Sequence, residues 1–244
     1  MIGIGTLVNA IAIIAGALLG SLIRGGLPER IKSIIMQGVG LAVIFIGLSG
    51  ALQGLLTVAG NGLERQFVML MIASMVIGGI TGELLRIEAG LQKAGQWFER
   101  KFARPESTFA QGFVTASLVY CVGAMAIVGA LEDGLTGNAT TLFSKSILDG
   151  VTAVIFTAGM GLGVALSALP VFIYQGSITL LAGVLRPFLT ATVIQQMSLV
   201  GGVLIFAIGL NLLEITRIKV GNLLPAIFIP LFYYIFLVLF GLGG

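Results

Sequence analysis

The sequence predicts an all-α protein, a polytopic transmembrane helical bundle of about eight spans. The 244-residue chain has only 13 Lys and Arg and 10 Asp and Glu, while 57% of its residues are hydrophobic. The charges are grouped, and seven uncharged runs lie between the groups, each long enough to cross about 30 Å of hydrocarbon as a helix. Membrane β-strands would alternate apolar and polar residues, which these runs do not. The runs are residues 1–23, 33–63, 66–82, 107–131, 150–185, 187–213 and 220–244.

The run 150–185 decides the number of spans. As one helix it would be about 54 Å long, too long for a single crossing. Pro170 lies near its middle, and proline removes a backbone donor and disfavours helix at the residue before it. We therefore predict a break near Leu169. The run then forms two spans, giving eight in all, or one span and a re-entrant segment, giving seven plus an insert.

The distribution of basic residues predicts the orientation. Basic loops stay in the cytoplasm, and an eight-span chain with its N-terminus outside places ten of the 13 Lys and Arg inside. Run 1–23 is expected to be retained as the first helix, because no Lys or Arg precedes it and Arg24 follows it, the reverse of a signal peptide. The chain is then a multi-pass protein with its N-terminus outside.

We predict one integral membrane domain, residues 1–244, with a cytoplasmic amphipathic segment at about 88–104. A helix there would place Trp97 and Phe102 on one face, with Lys93 and Arg100 around the other. Such a segment would lie flat on the anionic inner leaflet. An ordinary charged linker is the alternative interpretation.

The composition argues against several function classes. There is no histidine, which removes the commonest general base and the commonest metal ligand. The single cysteine, Cys121, cannot form an intrachain disulfide. We find no nucleophile and base pair, phosphate-binding loop or nucleotide fingerprint. We therefore expect no enzyme activity, no cofactor, no metal site and no nucleic-acid binding.

Glycine patterns recur along the chain. Residues 16–24 (GALLGSLIR) align with 78–86 (GGITGELLR), and 159–166 is a weaker third copy. A second pattern places two small residues seven apart at 40–47, 116–123 and 202–209. The patterns indicate either internal repeats or close helix packing through small residues, and they make a homodimer plausible. In transporters, repeat interfaces with broken helices form the substrate site.

Lys145 and Asp149 are the first candidate site residues. They are four positions apart and share a helix face at the start of the fifth helix, in an external cluster that includes Glu132 and Asp133. A carboxylate beside an apolar run is costly unless it is paired or solvated. The pair is interpreted as an entry site for a solute or cation, with a salt bridge in an outer loop as the alternative.

Two amides complete the predicted substrate-binding set of Asp149, Lys145, Gln175 and Asn211. Gln175 follows Pro170 in the broken run, and Asn211 lies near the inner end of the next helix. Polar groups within membrane spans must face protein or water, so we expect these side chains to line a pathway.

These observations favour a membrane transporter of a small solute or ion, whose partners are the lipid bilayer and that solute. An ion channel is the nearest alternative, and the sequence does not distinguish it. A membrane scaffold or assembly protein is the alternative of another class, and it would use the basic inner loop and the glycine faces for partners.

Several segments also resemble a known family. They are 120–130 (YCVGAMAIVGA), 133–135 (DGL), 145–146 (KS), 148–150 (LDG), 161–167 (GLGVALS), 175–180 (QGSITL), 209–212 (GLNL) and 222–226 (NLLPA). In these segments the chain is similar to the prokaryotic membrane proteins catalogued as domain of unknown function 554. The resemblance implies a bacterial or archaeal inner-membrane protein, and the family brings no settled reaction or substrate.

Overall fold

The computed structural model describes residues 2–59, 62–90, 93, 108–121 and 124–241. The predicted amphipathic segment at 88–104 lies largely outside them. In chain order the elements are α1 (Ile4–Gly25), α2 (Glu29–Leu55), the antiparallel strands β1 (Leu56–Ala59) and β2 (Gly62–Arg65), α3 (Val68–Leu85), α4 (Phe109–Cys121), α5 (Ala124–Thr136), α6 (Thr140–Met160), α7 (Gly163–Leu166), α8 (Ala168–Leu180), α9 (Ala182–Leu185), α10 (Ala191–Leu212), α11 (Val220–Leu223), a 3-10 helix (Leu224–Phe228) and α12 (Ile229–Leu239).

The predicted all-α transmembrane bundle is confirmed. Within the described residues, seven segments are long and apolar enough to cross a membrane: α1, α2, α3, α6, α7 with α8, α10, and the segment from Val220 to Leu239. Helices α4 and α5 are bent by 60° relative to each other and pass the same test only as a pair. The bundle therefore has seven crossings, or eight if the bent pair crosses.

The packing of α1 against α6 favours eight. Three contacts occur in the same order along both helices: Gly5 faces Leu142, Gly16 faces Gly150, and Gly20 faces Val154. The two helices are therefore parallel. Successive crossings alternate in direction, so parallel spans must be separated by an odd number of crossings. Helices α2 and α3 supply two of these, and the bent pair α4–α5 supplies the third.

The second glycine pattern forms the interface between α2 and α10. Gly40 packs beside Gly209, and Gly47 packs beside Gly202, so that two copies of the pattern lie antiparallel on one another. Hydrophobicity does not drive association between helices within lipid, and small residues let backbones approach closely enough for van der Waals packing. The third copy, 116–123, ends on residues outside the described part of the chain.

The core lies around α10. In the most apolar 18-residue stretch of α10, 67% is buried within the bundle, whereas the corresponding value for α3 is 17%. Helix α10 is therefore a central helix and α3 a peripheral one. The buried side chains of α1, α4, α6 and α8 join those of α10 in one apolar cluster.

The run 150–185 divides into two candidate spans, as predicted, but the break between them lies at Gly161 rather than near Leu169. Gly161 has a φ of +84°, a conformation that is strained for residues with a Cβ, and it ends α6. Pro170 instead lies in the first turn of α8, where its missing N–H group leaves no helical bond unmade. Residues 163–180 then form one candidate crossing, which contains Pro170.

Candidate functional site

Three helices bring four polar side chains together inside the bundle. On α6, Lys145 Nζ lies 2.8 Å from Asp149 Oδ1 and 2.6 Å from Asp149 Oδ2. On α1, Asn9 Nδ2 donates to Asp149 Oδ2 at 3.0 Å and to Gln175 Oε1 of α8 at 3.2 Å. We call these four residues, Asn9, Lys145, Asp149 and Gln175, the polar cluster.

The polar cluster is buried deep within its helices. Asp149 is nine residues after Thr140, the first residue of α6, and this spacing is about 14 Å along the helix axis. Asp149 therefore lies near the middle of that span. The exposed fraction is 0% for Asn9 and Gln175, 6% for Asp149 and 7% for Lys145. Charges at this depth are costly unless they are paired, and the bidentate contact of Lys145 with Asp149 supplies that pairing.

The structure corrects the predicted location of the charged pair. The sequence placed Lys145 and Asp149 at the external start of a helix, but α6 already begins at Thr140. Asn138 Oδ1 accepts the N–H of Thr140 at 3.1 Å and so satisfies a donor at this helix end. Lys145 and Asp149 share a helix face, as their spacing predicts, but they point into the protein rather than lying in an outer loop.

Two amide atoms of the polar cluster have no partner within the described part of the chain. They are Asn9 Oδ1, an acceptor, and Gln175 Nε2, a donor, and both are buried. Thr6 Oγ1, one turn before Asn9 on α1, is a third buried polar atom of this kind. Buried polar groups are nearly always hydrogen-bonded, so unsatisfied ones at a charged site are expected to meet a ligand or water.

An aromatic side chain borders the polar cluster at the end of α4. The Tyr120 ring centroid lies 5.9 Å from Lys145 Nζ, within range of a cation–π contact. The same ring stacks on Phe156 of α6 at a centroid distance of 6.1 Å. Tyr120 is the penultimate residue of α4, so the cluster lies next to the bend between α4 and α5.

Asp133 has a structural role that the sequence did not indicate. The sequence predicts it in an external polar cluster just after the fourth helix, but it lies within α5 because that helix continues to Thr136. It is fully buried, and its two carboxylate oxygens accept the N–H groups of Gly3 and Gly5, each at 3.1 Å. A carboxylate at a helix N-terminus satisfies free donors and complements the helix dipole. Asp133 thereby fixes the end of α1 that carries Asn9.

Replacing Asp133 with alanine should destabilise the protein by about 1–3 kcal/mol, because it leaves backbone donors at the start of α1 unsatisfied. Asp133→Asn, which retains one acceptor oxygen, should cost less. The measurement is equilibrium unfolding of the purified variants in mixed micelles. An alanine variant as stable as the parent protein would contradict this assignment.

The structure does not bring Asn211 to the polar cluster. Its Nδ2 donates to Ile218 O at 2.7 Å, and its Oδ1 accepts from Ile218 N at 2.9 Å and from Thr216 Oγ1 at 3.0 Å. The amide thus organises the turn after α10. Asn211 also lines a separate cavity of about 220 Å³, together with Glu88 and Gln111.

A larger cavity, of about 510 Å³, lies between α2 and α10. Its polar side chains are uncharged: Ser49, Gln53, Gln195 and Ser198. This cavity and the polar cluster are separate features, and only the cluster contains charge. Within the described residues, no group of three or more His, Cys, Asp and Glu could hold a metal ion.

Sequence reasoning left Asn9 out of the predicted site. A usable signal was present, since Asn9 is an amide within the uncharged run 1–23, and polar groups in a span must face protein or water. What the sequence did not provide was the parallel packing of α1 against α6, which places Asn9 next to Asp149.

The fold and the site define a multi-pass α-helical membrane protein with a buried polar cluster. The chain belongs to the family described as "Protein of unknown function (DUF554)", which it matches over residues 4–235. It is 34% identical over 226 residues to "Uncharacterized membrane protein YdfK" of Bacillus subtilis (strain 168), covering 93% of each chain. It is 32% identical over 233 residues to "Uncharacterized protein YqgA" of Escherichia coli (strain K12), covering 93% of this chain and 94% of the relative. No solved structure matches the chain.

Proposed function

We propose that this protein is a membrane transporter of a small solute or ion and that the polar cluster is its binding site. The observation that carries the proposal is the buried pair of Lys145 and Asp149 near the middle of a span. Two side-chain amides are connected to it by hydrogen bonds, and each has one atom without a partner. Ionisable residues inside membrane spans are rare and typically mark substrate or ion pathways.

The energetics of buried charge support a functional role for the pair. Replacing a buried ion pair by well-packed apolar residues is often neutral or even stabilising, so stability alone gives little reason for the pair. The structure also holds α1 against α6 by glycine contacts at Gly16 and Gly20, which do not involve the pair. A role in binding accounts for Lys145 and Asp149 better than a role in packing does.

Two interruptions in the helices support movement near the site. The span α4–α5 bends by 60°, and Tyr120 just before the bend contacts Lys145. The break at Gly161 separates α6, which carries Lys145 and Asp149, from the span that carries Gln175. Substrate sites of many transporters lie on such broken helices near the midplane, where rearrangement alternates access between the two sides.

The alternatives predict different properties of the polar cluster. A channel would need a continuous polar path, whereas the four residues of the cluster are at most 7% exposed and the cluster is closed to solvent. A scaffold would use surfaces that are accessible to partners, and the cluster is internal. We therefore favour transport over both, and over catalysis.

The proposal includes a location and an orientation. We infer a prokaryotic inner membrane with the N-terminus outside, on the basis of the excess of basic residues in the predicted inner loops. Eight alternating crossings would then place both termini on the outer side. The homodimer stays a prediction. Four glycines of the repeated patterns already pack within the chain, which leaves fewer of them for a partner: Gly16, Gly47, Gly78 and Gly82.

The test is solute accumulation in proteoliposomes containing the full chain. We expect uptake of one component from a defined mixture of isotopically labelled amino acids, sugars, carboxylates and inorganic salts, measured by mass spectrometry of the lumen. Asp149→Asn should reduce that uptake to the level of protein-free liposomes. Ser144→Ala, an exposed position on the same helix, is the matched control and should retain it. Equal uptake by the parent and Asp149→Asn would refute this site.

A further inference from the structure

The polar cluster restricts the charge of its ligand. Lys145 and Asp149 neutralise each other, and both are almost fully buried. A cation that displaced Lys145 from Asp149 would leave the ammonium without its counter-charge. An anion that displaced Asp149 would do the same to the carboxylate. Either exchange leaves an uncompensated buried charge, which is strongly unfavourable.

A neutral polar solute would face a different obstacle. Its hydrogen bonds are weaker than the charge-assisted contacts of 2.6 and 2.8 Å between Lys145 and Asp149, so it could not separate the pair. Such a solute would reach only the amides. A ligand that carries both charges can separate the pair without leaving a buried charge uncompensated. Its cationic group replaces Lys145 as the partner of Asp149, and its anionic group replaces Asp149 as the partner of Lys145.

The unpartnered atoms complement the same kind of ligand. Gln175 Nε2 is a free donor that suits a carboxylate, and Asn9 Oδ1 is a free acceptor that suits an ammonium group. Asn9 contacts both Asp149 and Gln175, so the donor and the acceptor belong to one connected network. The Tyr120 ring, already near the Lys145 ammonium, adds a surface suited to a cation.

The packing around the cluster indicates a small ligand. A Cβ added at Gly176, the neighbour of Gln175, would meet nothing nearer than Thr6 Cγ2 at 4.0 Å. That distance is an ordinary van der Waals contact, so α1 and α8 leave room for about a methyl group beside the unpartnered Thr6 hydroxyl. Elsewhere the glycine contacts of α1 with α6 keep the helices close, so a bulky solute would not fit without rearrangement.

We propose that the polar cluster binds a small zwitterion, with the ligand ammonium on Asp149 and Asn9 and the ligand carboxylate on Lys145 and Gln175. This inference rests on the proposed transport function, because it identifies the substrate class of the same site. Binding separates Lys145 from Asp149, and the net charge of the buried site remains zero throughout.

The experiment measures binding to the purified full chain in lipid nanodiscs. The probes are the proteinogenic amino acids and glycine betaine, each tested singly by thermal shift and isothermal titration calorimetry. We expect at least one of them to bind. Its carboxyl-amidated and N-acetylated derivatives, each with one charge removed, should bind about 100-fold more weakly or worse, because one buried charge then lacks a partner. Glycine betaine has no N–H donor, so it tests whether charge alone suffices.

The matched variants separate binding from folding. The double variant Lys145→Met with Asp149→Leu removes the pair without leaving an unpaired charge, so it should fold and lose zwitterion binding. Gln175→Leu should weaken binding, and Ser144→Ala should leave it unchanged. Equal binding by the double variant and the parent protein would overturn the proposal.

The remaining outcomes distinguish this inference from the proposed function. A zwitterion that binds but does not accumulate in proteoliposomes supports the substrate class and refutes transport. Asp149-dependent uptake of a sugar, a carboxylate or an inorganic ion supports transport and refutes the zwitterion. Binding of none of the probes, or stabilisation by sodium or potassium chloride alone, also refutes it.

Discussion

Replacing Asp149 alone with alanine should destabilise the protein by about 3–5 kcal/mol, the cost of breaking a buried ion pair from one side. The Lys145 ammonium would remain almost fully buried, next to the Tyr120 ring and without a counter-charge. Asn9 would also lose its bond to Asp149. The measurement is equilibrium unfolding in mixed micelles, compared with Ser144→Ala on the exposed face of the same helix.

The double variant Lys145→Met with Asp149→Leu is the decisive comparison. The two apolar residues remove both charges at once, so its stability should equal or exceed that of the parent protein. The difference between the double variant and the sum of the single variants Lys145→Met and Asp149→Leu gives the coupling energy of the pair. If Asp149→Ala unfolds like the parent protein, the carboxylate is not paired in a dry interior and the polar cluster is more solvated than the structure shows.

The stabilities of Asp149→Ala and the double variant also test the function of the pair. If the pair is dispensable for folding but required for uptake, Lys145 and Asp149 are present for a ligand rather than for the fold. If the double variant unfolds as readily as Asp149→Ala, the pair has a structural role, and the case for a substrate site weakens. Unfolding and uptake measurements on Asp149→Ala, the double variant and Ser144→Ala therefore separate the two explanations.

Much of the fold could be predicted because membrane insertion depends on local sequence. Uncharged runs fix where spans lie, and a spacing of four residues is enough to place Lys145 and Asp149 on one helix face. The position of the break at Gly161 was missed, since a proline is a visible signal and a glycine with positive φ is not. The first turn of α8 accommodates Pro170 without cost.

The candidate site was predictable only in part, because it depends on which helices are neighbours. Lys145, Asp149 and Gln175 were proposed together from their polarity. In the structure Lys145 contacts Asp149 directly, and Asn9 connects Asp149 to Gln175. Asn211 has the same polarity and sits in a similar uncharged run, yet it organises a turn near Ile218. Polarity shows that a side chain needs a partner, but only the packing of the helices shows which partner it finds.

The interface of α2 with α10 should be sensitive to the addition of a single methyl group. Gly47→Ala would place a Cβ against the backbone of Phe206 and Gly202, within overlap distance. Backbone atoms at a helix crossing cannot move aside as a flexible side chain can, so the two helices must separate. We expect a loss of about 1–3 kcal/mol, the usual range for overpacking a well-packed core.

Gly38→Ala is the matched control for this prediction, because it makes the same chemical change on the same helix. Gly38 is exposed, and a Cβ there would have no neighbour within 4 Å. With no packing cost, the higher helix propensity of alanine should leave stability unchanged or raise it by up to about 1 kcal/mol. Opposite signs for the two variants would show that glycine is required at position 47 by helix contact. Equal effects would mean that α2 and α10 are further apart than the interlocked glycine pairs indicate, and the packing that holds the central helix in place would have to be reassigned.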